Sequence, residues 1–589
     1  MVSFKQACCA FGLSGVLLLS ACAPAAPASA PAPQAAPPAA RTAPQPAQPA
    51  TPTPAVAAAR PTAAPAAPTP ASAKPASKEP QPVYGGTLRT LMTKEPPQWD
   101  PTTSTHQDRA ATQGVYDALL RINNVDGTLV PNLAERWQWE DSKTLVLYLR
   151  KGVRFHNKPP VNGRELTADD VVFSLNRARQ KDRTYAAALQ PVDKVTARDK
   201  STVVIMLQRP FAPLVDNLSD QGVVITAPEH VKAFNAVERR LETPDSMLGT
   251  GPFVFEEWTS GIGGSLKKNP NYWKPGRPYL DHLRISVIGD NSTIQAALRT
   301  GKLDFTWFLT PLPIPIVDSL LKTNPDIQVK GTAQIFLHML YGNPAINKYF
   351  ADARVRRAMN LAIDRQAMVK GIFGSDRWAI PSGPISPILY PTYAISKEEL
   401  LKMPGYRQPK DQDIADAKKL LAEAGYPSGF TMKAEAVDYF QGLNLYPMLI
   451  AQSQLKKIGV NLDIEMLELS VQREREYKGE FSFLARGQGT PTEVYTTLFT
   501  RHHTKGPRNY TKWSDPDLDK LIDAMGVEVD PQKRIQIARD FQKRWFEVLP
   551  QIFLFQELAP NVWQPWVHNI IPGNVYLYGY AEDVWMDKR

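Results

Sequence analysis

The chain has 589 residues, 43% hydrophobic and 21% charged, with 68 Lys and Arg against 58 Asp and Glu for a net charge of +10. Acidic and basic residues are interspersed without a long basic run, so the positive balance alone does not specify a nucleic-acid surface. The only cysteines are Cys8, Cys9 and Cys22, so nothing beyond Cys22 can form a disulfide, a thiolate nucleophile or a cysteine metal site.

The chain opens with Lys5, an apolar stretch from Ala7 to Leu19, and the small-residue ending Leu19-Ser20-Ala21-Cys22. The apolar run is too short to span a bilayer and reads as an export signal covering 1–21. Its ending resembles a bacterial lipobox, which implies a lipid on Cys22 as the first mature residue and a membrane anchor; the alternative is a plain secretory signal with an incidental cysteine. Residues 22–82 are mostly Ala and Pro and cannot build a core. They read as a disordered, polyproline-leaning tether able to reach outward on the order of 100 Å. An exported chain makes nucleic acid an unsuitable partner. The remaining stretch, of about 500 residues, exceeds one compact core, and at least two lobes are expected.

Tyr84-Gly85-Gly86 is a turn into a strand through Thr87-Leu88-Arg89. After Pro96-Pro97-Gln98-Trp99-Asp100-Pro101 and a loop over 102–108, the spacing predicts a helix with Val115, Leu119 and Leu120 on one face. LVPNLAERW, 129–137, is expected to pack structurally. Leu145 to Leu149 and then Val153-Arg154-Phe155 read as paired short strands around the Lys151-Gly152 turn. Thr167 and Asp170 have the spacing of a capping box before Val171, Val172, Leu175 and Ala178. Gly261, Gly263 and Gly264 lack a Gly-Lys-Ser/Thr or dinucleotide pattern and predict a hairpin. Ile294 to Phe305 reads as a helix leading to a buried strand, and Phe336 to Tyr341 as a strand ending at Asn343. Asp352 predicts the cap of one helix carrying Val355, Ala358, Met359, Ala362, Ile363 and Val369, with Arg354, Arg356 and Arg357 as solvated or structural charges. An irregular loop begins at Pro384, further helices follow Asp416, Asp515 and Asp530, and Leu549 to Leu554 is expected to return to the first lobe.

The segments LRKGVRFHNKP (149–159) and LTADDVVFSLNR (166–177), with GGTL (85–88), LVPNLAERW, GTGPF (249–253), NPNYW (269–273), GKLD (301–304) and DARVRRAMNLAIDRQAMV (352–369), resemble the family 5 extracytoplasmic solute-binding proteins, the peptide, opine and nickel receptors of ABC importers. The resemblance spans the globular region. It implies an α/β, two-lobed periplasmic-binding-protein-like fold of type II, large cluster-C kind, with mixed sheets and a hinge. The expected division is 83–310 for a first lobe with an inserted subdomain, 311–548 for a second lobe, and 549–589 for the return. It further implies a monomeric receptor at the extracytoplasmic face that closes on a small or peptide-like solute and delivers it to the permease subunits and their ATPases.

By position in that family, Ser104, Thr105 and His106 are the first cleft candidates, with Trp99 nearby and Tyr341 at the end of its strand. Trp99 also fits a packed core aromatic, and His106 a solvated loop residue. Peptide-binding members carry an aromatic and then an acid that pairs with the peptide ammonium, where this chain reads Gly487-Gln488-Gly489-Thr490-Pro491-Thr492. Neutral Gln488 and Thr490 can hydrogen-bond a ligand but cannot neutralise a desolvated ammonium. Arg486 could meet a carboxylate, and Glu493 could partly replace the missing acid. None of the eight histidines forms a metalloprotease-type spacing, and His502-His503 is the only pair. No enzyme, cofactor or metal site is expected. The alternative function is a lipoprotein scaffold or chaperone-like protein without transport-ligand binding.

Overall fold

The computed structural model describes residues 81–103, 112, 114–123, 126–220, 222–237, 240–306, 312–439, 442–489, 493–571 and 581–587. The expected signal, Cys22 and nearly all of the tether lie outside them, as do Ser104, Thr105, His106 and Thr490.

The fold is a two-lobed α/β arrangement built on three main sheets. The first has strand order Thr87–Met92, His282–Val287, Gly263–Lys268, Phe253–Thr259, with one parallel pair and two antiparallel ones. Gly263, at φ +125°, sits where a Cβ would lie 2.0 Å from the Ile285 carbonyl, so the glycine-rich stretch is a hairpin that lets two backbones approach.

The second sheet is antiparallel, Ala134–Asp141, Thr144–Leu149, Thr202–Leu207, Val192–Asp199. Onto it packs the helix Ala168–Ala178 through Val171, Leu175 and Ala178, all buried. The expected capping box is present, with the Asp170 carboxylate accepting the Thr167 N–H at 2.8 Å. Val153-Arg154-Phe155 does not form a partner strand: Arg154 makes a single bridge to Glu165, while Val153 and Phe155 plug the core from a loop. Leu145 already has strands on both sides, which leaves no edge for them.

The expected helix through Val115, Leu119 and Leu120 is also replaced. Val115 lies in a turn and Leu120 opens the strand Leu120–Ile122, although all three side chains are fully buried. Gly114 lies at φ +82°, a left-handed conformation through which a right-handed helix cannot run. The apolar spacing reports burial and not the helical period.

Family-like segments far apart in sequence meet in this lobe. His156 Nε2 lies 3.0 Å from the Gly251 carbonyl, and His156 Nδ1 accepts the Gly249 N–H at 3.5 Å, a neutral ring tying the 149–159 segment to 249–253. Burial lowers the His156 pKa to about 4. Asp117 accepts from Thr250 Oγ1 at 3.0 Å and from the Trp273 indole at 3.2 Å.

The third sheet has six strands in the order Ala379–Pro381, Ile552–Trp563, Gln328–Gly342, Phe483–Gly489, Phe430–Ala436, Val460–Met466. Its helical cover includes two helices where the sequence predicts one: Ala353–Ala362, capped by Asp352, and Arg365–Phe373, capped by Asp364, which accepts the Ala367 N–H at 2.9 Å. The capping carboxylate outcompetes continuation of the apolar period. Arg356 is buried and donates to the Phe350, Ala351, Val548 and Leu549 carbonyls, whereas Arg354 pairs with Asp352 in solvent.

Leu549 to Leu554 does not leave this lobe. Ile552–Trp563 pairs antiparallel with Gln328–Gly342 from Leu340↔Ile552 to Gln328↔Trp563, its apolar start covered on both faces of the sheet. Trp563 also bridges Phe305, and only then do Val567, Ala581, Val584 and Met586 join the core formed by Leu88, Met92, Trp99 and Val115.

Candidate functional site

Strand alternation places Leu484, Arg486 and Gln488 on one face of the six-stranded sheet, opposite Tyr341, Met339 and Leu337 respectively. The helix Leu469–Lys478 covers the end of this face and contributes Glu476, whose side chain is fully buried. The Tyr341 hydroxyl donates to Glu476, the Arg486 guanidinium pairs with the same carboxylate, and Gln488 Nε2 donates to Tyr341 Oη at 3.2 Å. Gly487 N–H is held by Asn444 Oδ1 at 3.0 Å, which fixes the strand end. Burial pushes the Tyr341 pKa up to about 12, opposed by Arg486 and by the hydrogen bond from Gln488, so the phenol is a proton donor at neutral pH. Three sequence candidates, Tyr341, Arg486 and Gln488, therefore share one polar cluster, and Glu476 is the member that the sequence reading missed. Nothing in the sequence marked it: the helix LSVQREREYK has no apolar face, and the pair that it buries, Gln472 and Glu476, is polar and spaced i, i+4.

Glu493 lies in a different cluster. It caps the helix Val494–His502, accepting from Tyr495 N at 2.8 Å and Thr496 N at 2.7 Å. Arg534, 4% exposed, donates to Glu493 at 3.0 Å, to Asp216 at 2.9 Å and to Tyr393 Oη at 3.2 Å. Burial works against the Arg534 charge, but Asp216, Tyr393 and Glu493 outweigh it and hold the guanidinium protonated. Asp216 lies on the helix Leu214–Asn217, which follows the second sheet in the chain, so this cluster ties that helix to Pro531–Val548 beside a crevice lined by Ile122, Gly127, Asp216, Tyr390, Tyr393 and Glu493. The Ala212 N–H to Gly526 carbonyl bond, 2.9 Å, and the edge contact of Phe211 with Tyr495 reinforce the same junction.

Trp99 is 3% exposed, edge-on to Trp258 at 4.7 Å, in the core of the first sheet. Its neighbour Asp100 is fully buried and paired with Arg177, the last residue of the LTADDVVFSLNR segment. The histidine pair is split: His502 packs edge-on to Trp545 at 4.5 Å, with its pKa lowered to about 3 by burial, while His503 Nδ1 accepts the Lys505 N–H. Among the described residues no three metal-ligating side chains converge.

The family model of bacterial extracellular solute-binding proteins, family 5 middle, matches residues 128–506. Di/tripeptide-binding protein 1 of Pseudomonas aeruginosa (strain UCBPP-PA14) is 28% identical over 483 residues, 77% of this chain and 86% of its own length. Heme-binding protein A of Haemophilus influenzae is 28% identical over 487 residues, 77% of this chain and 84% of its own. The solved structure of HbpA2 from Haemophilus parasuis superimposes with a TM-score of 0.73 at 23% identity, over 85% of this chain and all of that one. Two relatives at equal identity are named for chemically different ligands, so overall similarity does not select the solute.

Proposed function

Because the chain belongs to the bacterial extracellular solute-binding proteins of family 5, we propose that it captures a small peptide or other organic solute between its lobes and delivers it to the permease of an ABC importer. The family match carries this reading, and it is supported by the Arg534–Asp216 pair, which sets polar groups from distant parts of the chain beside one crevice. Solute contacts made with both lobes would favour a closed form over an open one, since only contacts that differ between two states can shift their balance. Energy for transport would come from the partner ATPase. Trp99, Ser104, Thr105, His106, Tyr341, Arg486, Gln488, Thr490 and Glu493 are the candidate ligand-facing residues within this proposal.

The same reading takes the protein as monomeric and lipid-anchored through Cys22, supported by the Leu19-Ser20-Ala21-Cys22 sequence. No helix among the described residues is long and apolar enough to cross a membrane. Metabolic labelling with a fatty acid should mark the wild-type chain and not Cys22→Ser.

The receptor reading is tested by native mass spectrometry of the full-length protein, followed by small-angle scattering with and without the solute that dissociates. A released small molecule that reduces the radius of gyration on re-addition is expected. A chain that carries no solute and is not stabilised by any peptide or organic acid would overturn it, because a ligand at 100 times its dissociation constant adds about 2.7 kcal/mol of stability.

A further inference from the structure

Around Glu476 the charges do not balance. Arg486 is only 11% exposed and meets this one carboxylate. Arg473 precedes Glu476 by three residues on the Leu469–Lys478 helix, which puts both on adjacent faces of one turn. Its guanidinium lies over the Tyr439 ring at 5.9 Å and pairs with no carboxylate among the described residues. The contact of Tyr477 with Tyr510, 5.2 Å between ring centroids, brings the segment carrying Arg508 against the same helix, and the side chain of Arg508 is likewise without a carboxylate partner among the described residues. Nearby acids do not fill the gap: Glu474 is taken by Lys478 at 2.7 Å, and Glu435 and Glu465 by Arg475 at 3.4 and 3.3 Å.

The buried donors point the same way. Gln472 is 3% exposed, and its Nε2 makes no hydrogen bond among the described residues. Burial lowers the proton affinity of Arg486, and Arg473 and Arg508 each add to that lowering, in keeping with their places on and against the Leu469–Lys478 helix. One arginine meets the Glu476 carboxylate, and two more arginines and an unused amide donor lie on or against the helix that carries it.

We propose that Arg486, Arg473 and Arg508 form an anion subsite that binds a carboxylate group of the transported solute, making this a receptor for acidic organic solutes. The proposal rests on the receptor reading and deepens it. Each guanidinium offers a planar fork of donors matched to a carboxylate, and the bound anion would bring the local charge toward balance. Gln488 and Tyr341 then act through Glu476 as positioning residues that hold Arg486 at the strand end.

The test uses the full-length protein and three defined probes in titration calorimetry: N-acetyl-alanyl-alanine, its C-terminal amide, and the free dipeptide alanyl-alanine. The acetylated acid should bind at least tenfold more tightly than its amide. Arg508→Gln and Arg473→Gln, both solvent-accessible and without ion pairs to lose, should each weaken the acid several-fold and leave the amide unchanged. Arg486→Gln should abolish the preference; if it fails to fold, the two outer variants still decide. An amide that binds as tightly as its acid, or an acid preference untouched by both outer variants, overturns the subsite while the receptor reading stands. If none of the probes binds but a neutral solute leaves with the protein in mass spectrometry, the subsite is again overturned and the receptor reading kept. Failure of every probe, with no solute released, removes both.

Discussion

Two buried arginine–carboxylate pairs, Arg534 with Glu493 and Arg486 with Glu476, look alike in composition and differ in the charges around them. Arg534 stands between Glu493 and Asp216, with Tyr393 as a third acceptor and the Glu493 oxygens also satisfied by a helix N-terminus. Around Glu476 a single carboxylate faces Arg486, with Arg473 and Arg508 close by and unpaired with any carboxylate among the described residues. An unpaired buried charge is costly, so the buried Arg534 is matched internally, whereas Arg473 and Arg508 are solvent-accessible and their surplus positive charge can be met by an anionic ligand. The contrast separates a cluster whose charges are matched within the protein from the surplus cationic surface proposed to bind a carboxylate.

The largest effect expected is from Arg534→Met, which strands Glu493 at 4% exposure without a counter-ion. It should cost about 3–5 kcal/mol in urea unfolding, yet leave the preference for an acid over its amide unchanged. A cost below about 1 kcal/mol would erase the distinction between the clusters. A control outside both sets the stability scale. His156 has its folded pKa lowered to about 4, below the ordinary 6.5, so the unfolded chain binds the proton first as pH falls. Stability present at neutral pH should therefore be lost between about pH 6.5 and 4, on the order of 3 kcal/mol for this one group, and His156→Gln should flatten that part of the urea-midpoint profile.

Smaller effects sharpen the recognition side. Glu476→Gln removes the one opposing charge, so the acetylated acid should bind about tenfold more tightly, or roughly 1.4 kcal/mol. Unchanged or weaker binding would mean that Glu476 itself touches the ligand. Finally, raising salt from about 0.05 to 0.5 M should weaken the acid a few-fold through screening of the exposed Arg508, while the urea midpoint set by the buried Arg534 cluster moves little.

Much of the architecture was legible because its causes are local. The capping box at Thr167 and Asp170, the caps at Asp352, Asp515 and Asp530, and the Gly263 hairpin are each decided within a few residues. Two of the failed readings let apolar spacing outvote a local stop signal, Gly114 in one case and Asp364 in the other, while the Val153–Phe155 and Leu549–Leu554 readings failed on sheet neighbours set by distant strands. The charge clusters were only half legible. Strand alternation alone puts Arg486 and Gln488 on one face, but Arg534 meets Asp216 across 318 positions, a pairing that no periodicity encodes. Glu476 hid in a helix whose polarity suggested solvent on every side.

Trp563, on the returning strand, bridges Phe305 and pairs with Gln328, the two ends of the outgoing passage from the first sheet to the third. The two passages of the chain are thus stitched side by side into a ribbon instead of hanging as independent threads. A ribbon bends readily about one axis and resists torsion about the others, so the lobes should swing like a door on a single pin. Such a motion returns the same residues to the same opposite numbers at every closure, which lets a solute be read by both walls of the crevice in a repeatable geometry.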